Sequence, residues 1–229
     1  MSAPDYWMTE DDVWAAVATA RASFVDLVAG LDPADWERPS LCAGWRVHDV
    51  AAHLTLAPTS SRAALARGLA RALVRGRASF DGMMDLLTRE AGERPREEVL
   101  TALRAAVGSR RLAPGTTPHV ALVDALVHAQ DVAVALGIDL PAPPLASREA
   151  AERVWAVSFP FRARRRLAGF RLVAADVPWQ RGEGQQVTGS MTALLLLLTG
   201  RPAALAHLDG DGARRLARSF APHDREELP

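Results

Sequence analysis

The stretch from Val120 to Leu136 constrains this chain more than any other part of it. Val120, Leu122, Val123, Leu126, Val127, Val132 and Leu136 are spaced for a strongly apolar helix, which Gly137 closes. A helix this apolar is stable only when other helices cover it. It nevertheless carries Asp124, His128 and Asp131. Asp124 and His128 are one turn apart, roughly 40° around the axis, and Asp131 shares their face. A carboxylate and an imidazole turned into a helical core are costly unless they are paired or bound to a metal.

The rest of the pattern predicts the covering helices. Thr9, with Asp12 three residues on, starts a helix carrying Val13, Trp14, Val17, Phe24, Leu27, Val28 and Leu31, which Asp32-Pro33 stops. An irregular stretch from Ala34 to Trp45 leads to a second helix from about Val47. Val50, Leu54, Leu65, Leu69 and Leu73 should face inward along it, with a kink or an interruption at Pro58. Weaker helical patterns cover Phe80 to Glu90 and Pro95 to Arg110. Ile138 to Ser147, with three prolines, reads as a linker. Beyond it, Arg148 to Leu167 reads as helix broken near Pro160, and Phe170 to Ala174 as a strand. Asp176 to Trp179 continues the sheet into a turn at Gly182-Glu183-Gly184, from which Gln185 to Val187 returns. Ser190 to Thr199 is a buried helix capped by Gly200, and two short helices flank Gly210-Asp211-Gly212. The expected architecture is mainly α: a four-helix bundle over residues 1–140 and a small α+β domain over 148–229.

Composition narrows the function classes. A chain of 229 residues, 49% of them hydrophobic, buries roughly 70% of its unfolded surface and needs no disulfides to fold. Its 27 acidic and 27 basic residues cancel, which argues against nucleic-acid binding. Every basic residue is arginine, so lysine Schiff-base and lysine general-base chemistry is excluded. With the abundant alanine, that matches the codon usage of a GC-rich genome. The single cysteine, Cys42, allows neither a disulfide framework nor a multi-thiolate zinc site. The N-terminal segment is acidic where a signal peptide is basic. The longest run of large apolar residues, Leu194 to Leu198, is far too short to span a bilayer. These features lead us to expect a cytoplasmic protein, monomeric or homodimeric, without nucleic-acid or membrane partners.

Six histidines can be weighed singly. His53 sits in the apolar segment VAAHLTL with Asp49 one turn before it. Two histidines and a carboxylate from two packed helices make a three-ligand metal site with a position left open. Spacing leaves buried Asp–His hydrogen bonds as the alternative. It also leaves Asp131 as either a ligand or a partner that orients His128. His48, His119, His207 and His223 read as surface or capping residues. Cys42 reads as a small apolar loop residue, and Arg162, Arg164, Arg165 and Arg166 as an anion-binding or solvated face. No G-x-S-x-G, P-loop or G-x-G-x-x-G is present.

The segment Leu41-Cys42-Ala43-Gly44-Trp45-Arg46-Val47-His48-Asp49-Val50-Ala51-Ala52-His53-Leu54 resembles the C-x-G-W-x-V-x-D-x-x-x-H-L signature of the mycothiol-dependent maleylpyruvate isomerase family, within the DinB-like superfamily. Asp124-Ala125-Leu126-Val127-His128-Ala129-Gln130-Asp131 is similar to its second signature, acidic-x-x-x-H-x-x-D. Ala175-Asp176, Trp179, Gly182, Gly184, Gly189, Gly200-Arg201 and Leu208-x-Gly210-Asp211-Gly212 resemble its appended C-terminal domain. The resemblance implies a DinB-like four-helix bundle that binds a divalent metal, usually zinc, through His53, Asp124 and His128, with Asp131 as orienter or packing residue. The chain departs from it at Asp124, where glutamate is usual. Also implied are mycothiol as thiol cosubstrate, a small electrophilic substrate and a substrate-binding arginine late in the chain. Arg201 and Arg218, and beside them Arg214 and Arg215, are the candidates. The expected function is that of a metal- and mycothiol-dependent isomerase or S-transferase. The alternatives are a hydrolase using metal-bound hydroxide and a non-catalytic metal-binding protein.

Overall fold

The computed structural model describes residues 7–59, 67–68, 70–71, 73–74, 76 and 79–220. Its contacts fall into two compact units that divide between Ala142 and Pro143. The described helices of the N-terminal unit are α1 (Glu10–Ala29), α2 (Pro33–Trp36), α3 (Val47–His53), α4 (Leu56–Thr59), α5 (Phe80–Ala91), α6 (Arg96–Ala106) and α7 (Pro118–Leu136). α1 opens on the predicted capping box: the Asp12 N–H donates to the Thr9 hydroxyl and the Thr9 N–H to the Asp12 carboxylate. α7 starts with Pro118 in its first turn and ends on Gly137 in the left-handed conformation, φ 70°.

α7 packs most extensively on α1, while α3 lies against α5, α6 and α7. Phe24, Val28, Trp36, Val47, Val50, Val99, Leu103 and Val132 form the buried core between them. Each such side chain contributes about 1.5–3 kcal/mol by leaving water. By length and composition α7 could cross a membrane, but 56% of that stretch is buried. Arg21 ties α1 to the end of α6, its Nη1 donating to the carbonyls of Ala106 (2.9 Å) and Ser109 (2.7 Å). Both carbonyls lie at or just beyond the C-terminal end of α6, where a cation suits the negative end of the dipole.

The structure refines the local expectations at three places. The stretch after Pro33 is not wholly irregular: the fixed φ of Pro33 opens a one-turn helix that buries Trp36. Of the two outcomes expected at Pro58 the second helix shows the interruption, but it falls earlier, at Leu54-Thr55, and Pro58 sits inside α4. Its ring would clash with the carbonyl of Leu54 four residues back, so the break precedes the proline. Leu65 and Leu69 lie outside the described residues. Leu73 is 56% exposed and does not continue the inward face, whose register ended at that break.

α3 is fastened at its start. The Asp49 carboxylate, 4% exposed, accepts from the Arg46 backbone N–H (2.9 Å), Nε (3.0 Å) and Nη2 (2.9 Å). Gly92, the C-cap of α5, lets that carboxylate in, because a Cβ there would stand 2.3 Å from Asp49 Oδ1.

The C-terminal unit contains α8 (Pro144–Ala156), α9 (Ala163–Arg166), β1 (Phe170–Ala174), β2 (Gln180–Arg181), β3 (Gln185–Gly189), α10 (Met191–Leu198), a 3-10 turn (Pro202–His207), β4 (Leu208–Asp209) and α11 (Asp211–Phe220). α8 begins within the stretch expected as linker, where Pro144 occupies its first turn. The sheet order is β2-β1-β3-β4, with β1 antiparallel to β2 and parallel to β3, and β4 antiparallel to β3. β3 therefore does not return along β2. The chain crosses the start of β1 instead, where Gly184 (φ 117°) comes so close to the Gly169 carbonyl that a Cβ would stand 2.1 Å from it. α10 is buried and packs on α8. Glu152 of α8 accepts from Trp179 Nε1 and pairs with Arg181, both at 2.6 Å.

Gly92→Ala should displace the Asp49 carboxylate from the end of α5 and destabilise the protein by about 1–3 kcal/mol in urea denaturation. An unchanged midpoint would show that this junction has slack.

Candidate metal centre

α3 ends on His53, and α7 brings Asp124 and His128 to meet it. The Nε2 atoms of His53 and His128 lie 3.3 and 3.5 Å from Asp124 Oδ1, and the three donor atoms lie within 4.8 Å of one another. Each ring is fixed through its other nitrogen. His53 Nδ1 meets the hydroxyl of buried Thr88 on α5 at 3.0 Å, and His128 Nδ1 meets Asp131 Oδ2 at 2.9 Å. Holding Nδ1 in this way leaves Nε2 to face the common point.

The donor set fits a divalent ion such as zinc. Nitrogen and oxygen ligands about 2.0–2.2 Å from a tetrahedral ion stand roughly 3.3–3.5 Å apart, the spacing of both imidazoles from the carboxylate. Three protein ligands leave a fourth position open. Asp124, 38% exposed, is the most open of the three.

Charge organises the same atoms. Partial burial raises the Asp124 carboxyl, but the His53 charge and hydrogen bond, the His128 charge and Arg21 hold it below the usual carboxylate range. Burial lowers His128, yet its bonds to Asp131 and Cys42 and the charge of Asp124 push it up to about 10. An unfolded imidazole titrates near ~6.5. This pairing therefore stabilises the metal-free fold fully below about pH 6.5 and is lost as pH rises towards 10.

Other residues fall elsewhere than expected. Asp49 is spent on Arg46 and not on His53. His48 is buried with its ring edge-on to Trp36 at 5.3 Å, so it is a core residue and not a surface one. His119 is half-buried at the start of α7, His207 is exposed, and His223 lies outside the described residues. Cys42 is more than loop packing: its Sγ lies 3.0 Å from Asp131 Oδ2 and 3.5 Å from His128 Nδ1. The arginines after Phe161 are not simply a solvated or anion-binding face. Arg164 donates to the carbonyls of Trp155 and Ala156, and Arg166 to those of Phe161, Leu197 and Leu198. Arg201 opens the 3-10 turn and donates to the Thr199 carbonyl, while Arg218 is exposed on α11. Arg214 pairs with Asp211, and Arg215 lies over the Phe170 ring.

Trp45 and Thr88 escape sequence reasoning as site residues. Trp45 had a signal, because it stands in the same short motif as His53. Its ring lies 5.2 Å from that of His53 and 6.1 Å from that of His128, and its Nε1 donates to Asp85. Nothing in the sequence around Thr88 marks it.

Comparison with known proteins is consistent with this fold. A family model described as the mycothiol maleylpyruvate isomerase N-terminal domain matches residues 17–133, just over half of the chain. The chain is similar to the crystal structure of the mycothiol-dependent maleylpyruvate isomerase, with 13% identity and a TM-score of 0.61, covering 90% of this chain and 94% of that one. It is also similar to the structure of a histidine-to-alanine mutant of that enzyme, at 15% identity and a TM-score of 0.54, with the same coverage. None of the curated proteins matches the chain.

The two carboxylates of α7 should separate in metal titrations. Asp124→Ala should abolish stoichiometric binding, Asp131→Asn should weaken it about 10- to 100-fold, and Asp124→Glu should retain it. The reverse order would exchange their roles. Metal uptake at pH 8 should also release about one proton from His128 Nε2, read as a buffer-dependent heat in calorimetry.

Proposed function

The chain belongs to the family of the mycothiol maleylpyruvate isomerase N-terminal domain, and we propose that it is a metal- and mycothiol-dependent isomerase or thiol transferase acting on a small electrophile. The observation that carries this reading is the convergence of both Nε2 atoms on Asp124 Oδ1. His53, Asp124 and His128 would hold the ion, zinc being the best match to two nitrogens and one oxygen. Such an ion, when bound, lowers the pKa of a thiol or water placed at its open position.

The remaining groups prepare the place where that chemistry occurs. Thr88 and Asp131 fix the two imidazoles before any ligand arrives, so little reorganisation accompanies binding. The Trp45 indole covers one side of both rings and limits the water around them. The chain's own thiol faces Asp131, so the attacking sulfur comes from the cosubstrate. Arg201 and Arg218 are the residues to test as partners of a substrate carboxylate.

Turnover of maleylpyruvate or a related electrophile should require both mycothiol and a divalent metal. Chelation should abolish it while the helical circular-dichroism signal persists, and His53→Ala and His128→Ala should each weaken zinc binding at least about 10-fold. Turnover without thiol would select a hydrolase. Unfolding on chelation would make the metal structural.

A further inference from the structure

The loop between α2 and α3, closed by a bridge between Pro39 and Arg46, is held against α7 by contacts that the proposed chemistry does not use. The Leu41 N–H donates to the Asp131 carbonyl at 3.0 Å. The Cys42 thiol donates to Asp131 Oδ2 at 3.0 Å, the same oxygen that meets His128 Nδ1 at 2.9 Å. Trp45, further along the loop, lies against both imidazoles and is tied to α5 through Asp85, while Arg89 of α5 donates to the Gly44 carbonyl.

Distances distinguish this group from the ligand trio. Cys42 Sγ, His128 Nδ1 and Asp131 Oδ2 could in principle hold an ion of their own. Two of their three separations are hydrogen-bond lengths, whereas a thiolate and its neighbours around zinc stand roughly 3.5–3.7 Å apart. The thiol is therefore a donor to the carboxylate. Asp131 has no exposed surface, and each donor on its Oδ2 narrows the swing of the carboxylate about the Cβ–Cγ bond. A second donor on the same oxygen fixes its plane, and with it the tilt of the His128 ring.

We propose that Cys42 is a positioning residue: through Asp131 its thiol proton holds His128 with Nε2 aimed at Asp124. This rests on the reading of His53, Asp124 and His128 as metal ligands. It explains why a half-buried cysteine stands in a loop beside the centre without being its nucleophile.

The test compares the wild type with Cys42→Ala, Cys42→Ser, Asp131→Asn and the Cys42→Ala/Asp131→Asn double variant. Cys42→Ala should weaken zinc binding about 10-fold. Cys42→Ser keeps an O–H donor and should recover most of that loss. In the Asp131→Asn background, Cys42→Ala should cost nothing further, because the route is already cut. Wild-type affinity in Cys42→Ala, no recovery in Cys42→Ser, or additive losses in the double variant would each overturn the proposal. Should Cys42→Ala not fold, Cys42→Val fills a similar volume without a donor. In metal-free protein, the His128 Nδ1–H resonance should resist solvent exchange in the wild type, exchange faster in Cys42→Ala and be restored in Cys42→Ser. Equal exchange in all three would also overturn it. A wild type that takes up no metal defeats the ligand reading alone, and this resonance then decides the role of Cys42.

Discussion

A carboxylate without exposed surface persists inside a helical bundle only if donors face it, and Asp131 is in that position. His128 Nδ1 and the Cys42 thiol both meet its Oδ2. Removing either leaves a buried charge with less compensation, a larger loss than that of one hydrogen bond. The arrangement couples three parts of the chain: the loop before α3, the middle of α7 and, through the aim of the His128 ring, the end of α3. The apolar core is drawn from α1, α2, α3, α6 and α7, and Asp131 supplies the angle at which one imidazole leaves that core.

The second imidazole is governed less by charge. His53 is set by the Thr88 hydroxyl and by the position of α3, which depends on Arg46, Asp49 and the missing side chain of Gly92. One ring is therefore oriented by an ionic partner and the other by a neutral one. Of the two, His128 is the ring whose ionic partners push it well above the ordinary imidazole range.

Much of this was legible in the chain itself, for identifiable reasons. Thr9 with Asp12, Gly137 after Leu136, and the period of α7 are local signals whose effects stay local, and the structure follows them. The one-turn spacing of Asp124 and His128 placed both on one face before any partner was known. Nothing local marks Cys42 as more than packing, because its partners are 86 and 89 residues away. The burial of His48 is hidden for the same reason, since only the tertiary position of Trp36 makes it a core residue. The parallel pairing of β3 with β1 was hidden because a Gly-rich turn ordinarily announces a hairpin, and here the same glycines permit a crossing over the first strand. Arginines that end up capping helices look identical, in sequence, to arginines in solvent.

The separations within the centre also bear on the order in which the molecule assembles. His53 meets Thr88 across 35 residues and Asp124 across 71, and Cys42 meets Asp131 across 89. Closing loops of that length precedes any return from the contacts they permit, so these pairings belong late in folding. A nascent chain that has emerged only as far as α5 carries one of the two imidazoles and no carboxylate to join it. An ion held as proposed above would therefore be captured only by the finished bundle, and the growing polypeptide would be spared a premature cross-link between segments that have yet to find their places.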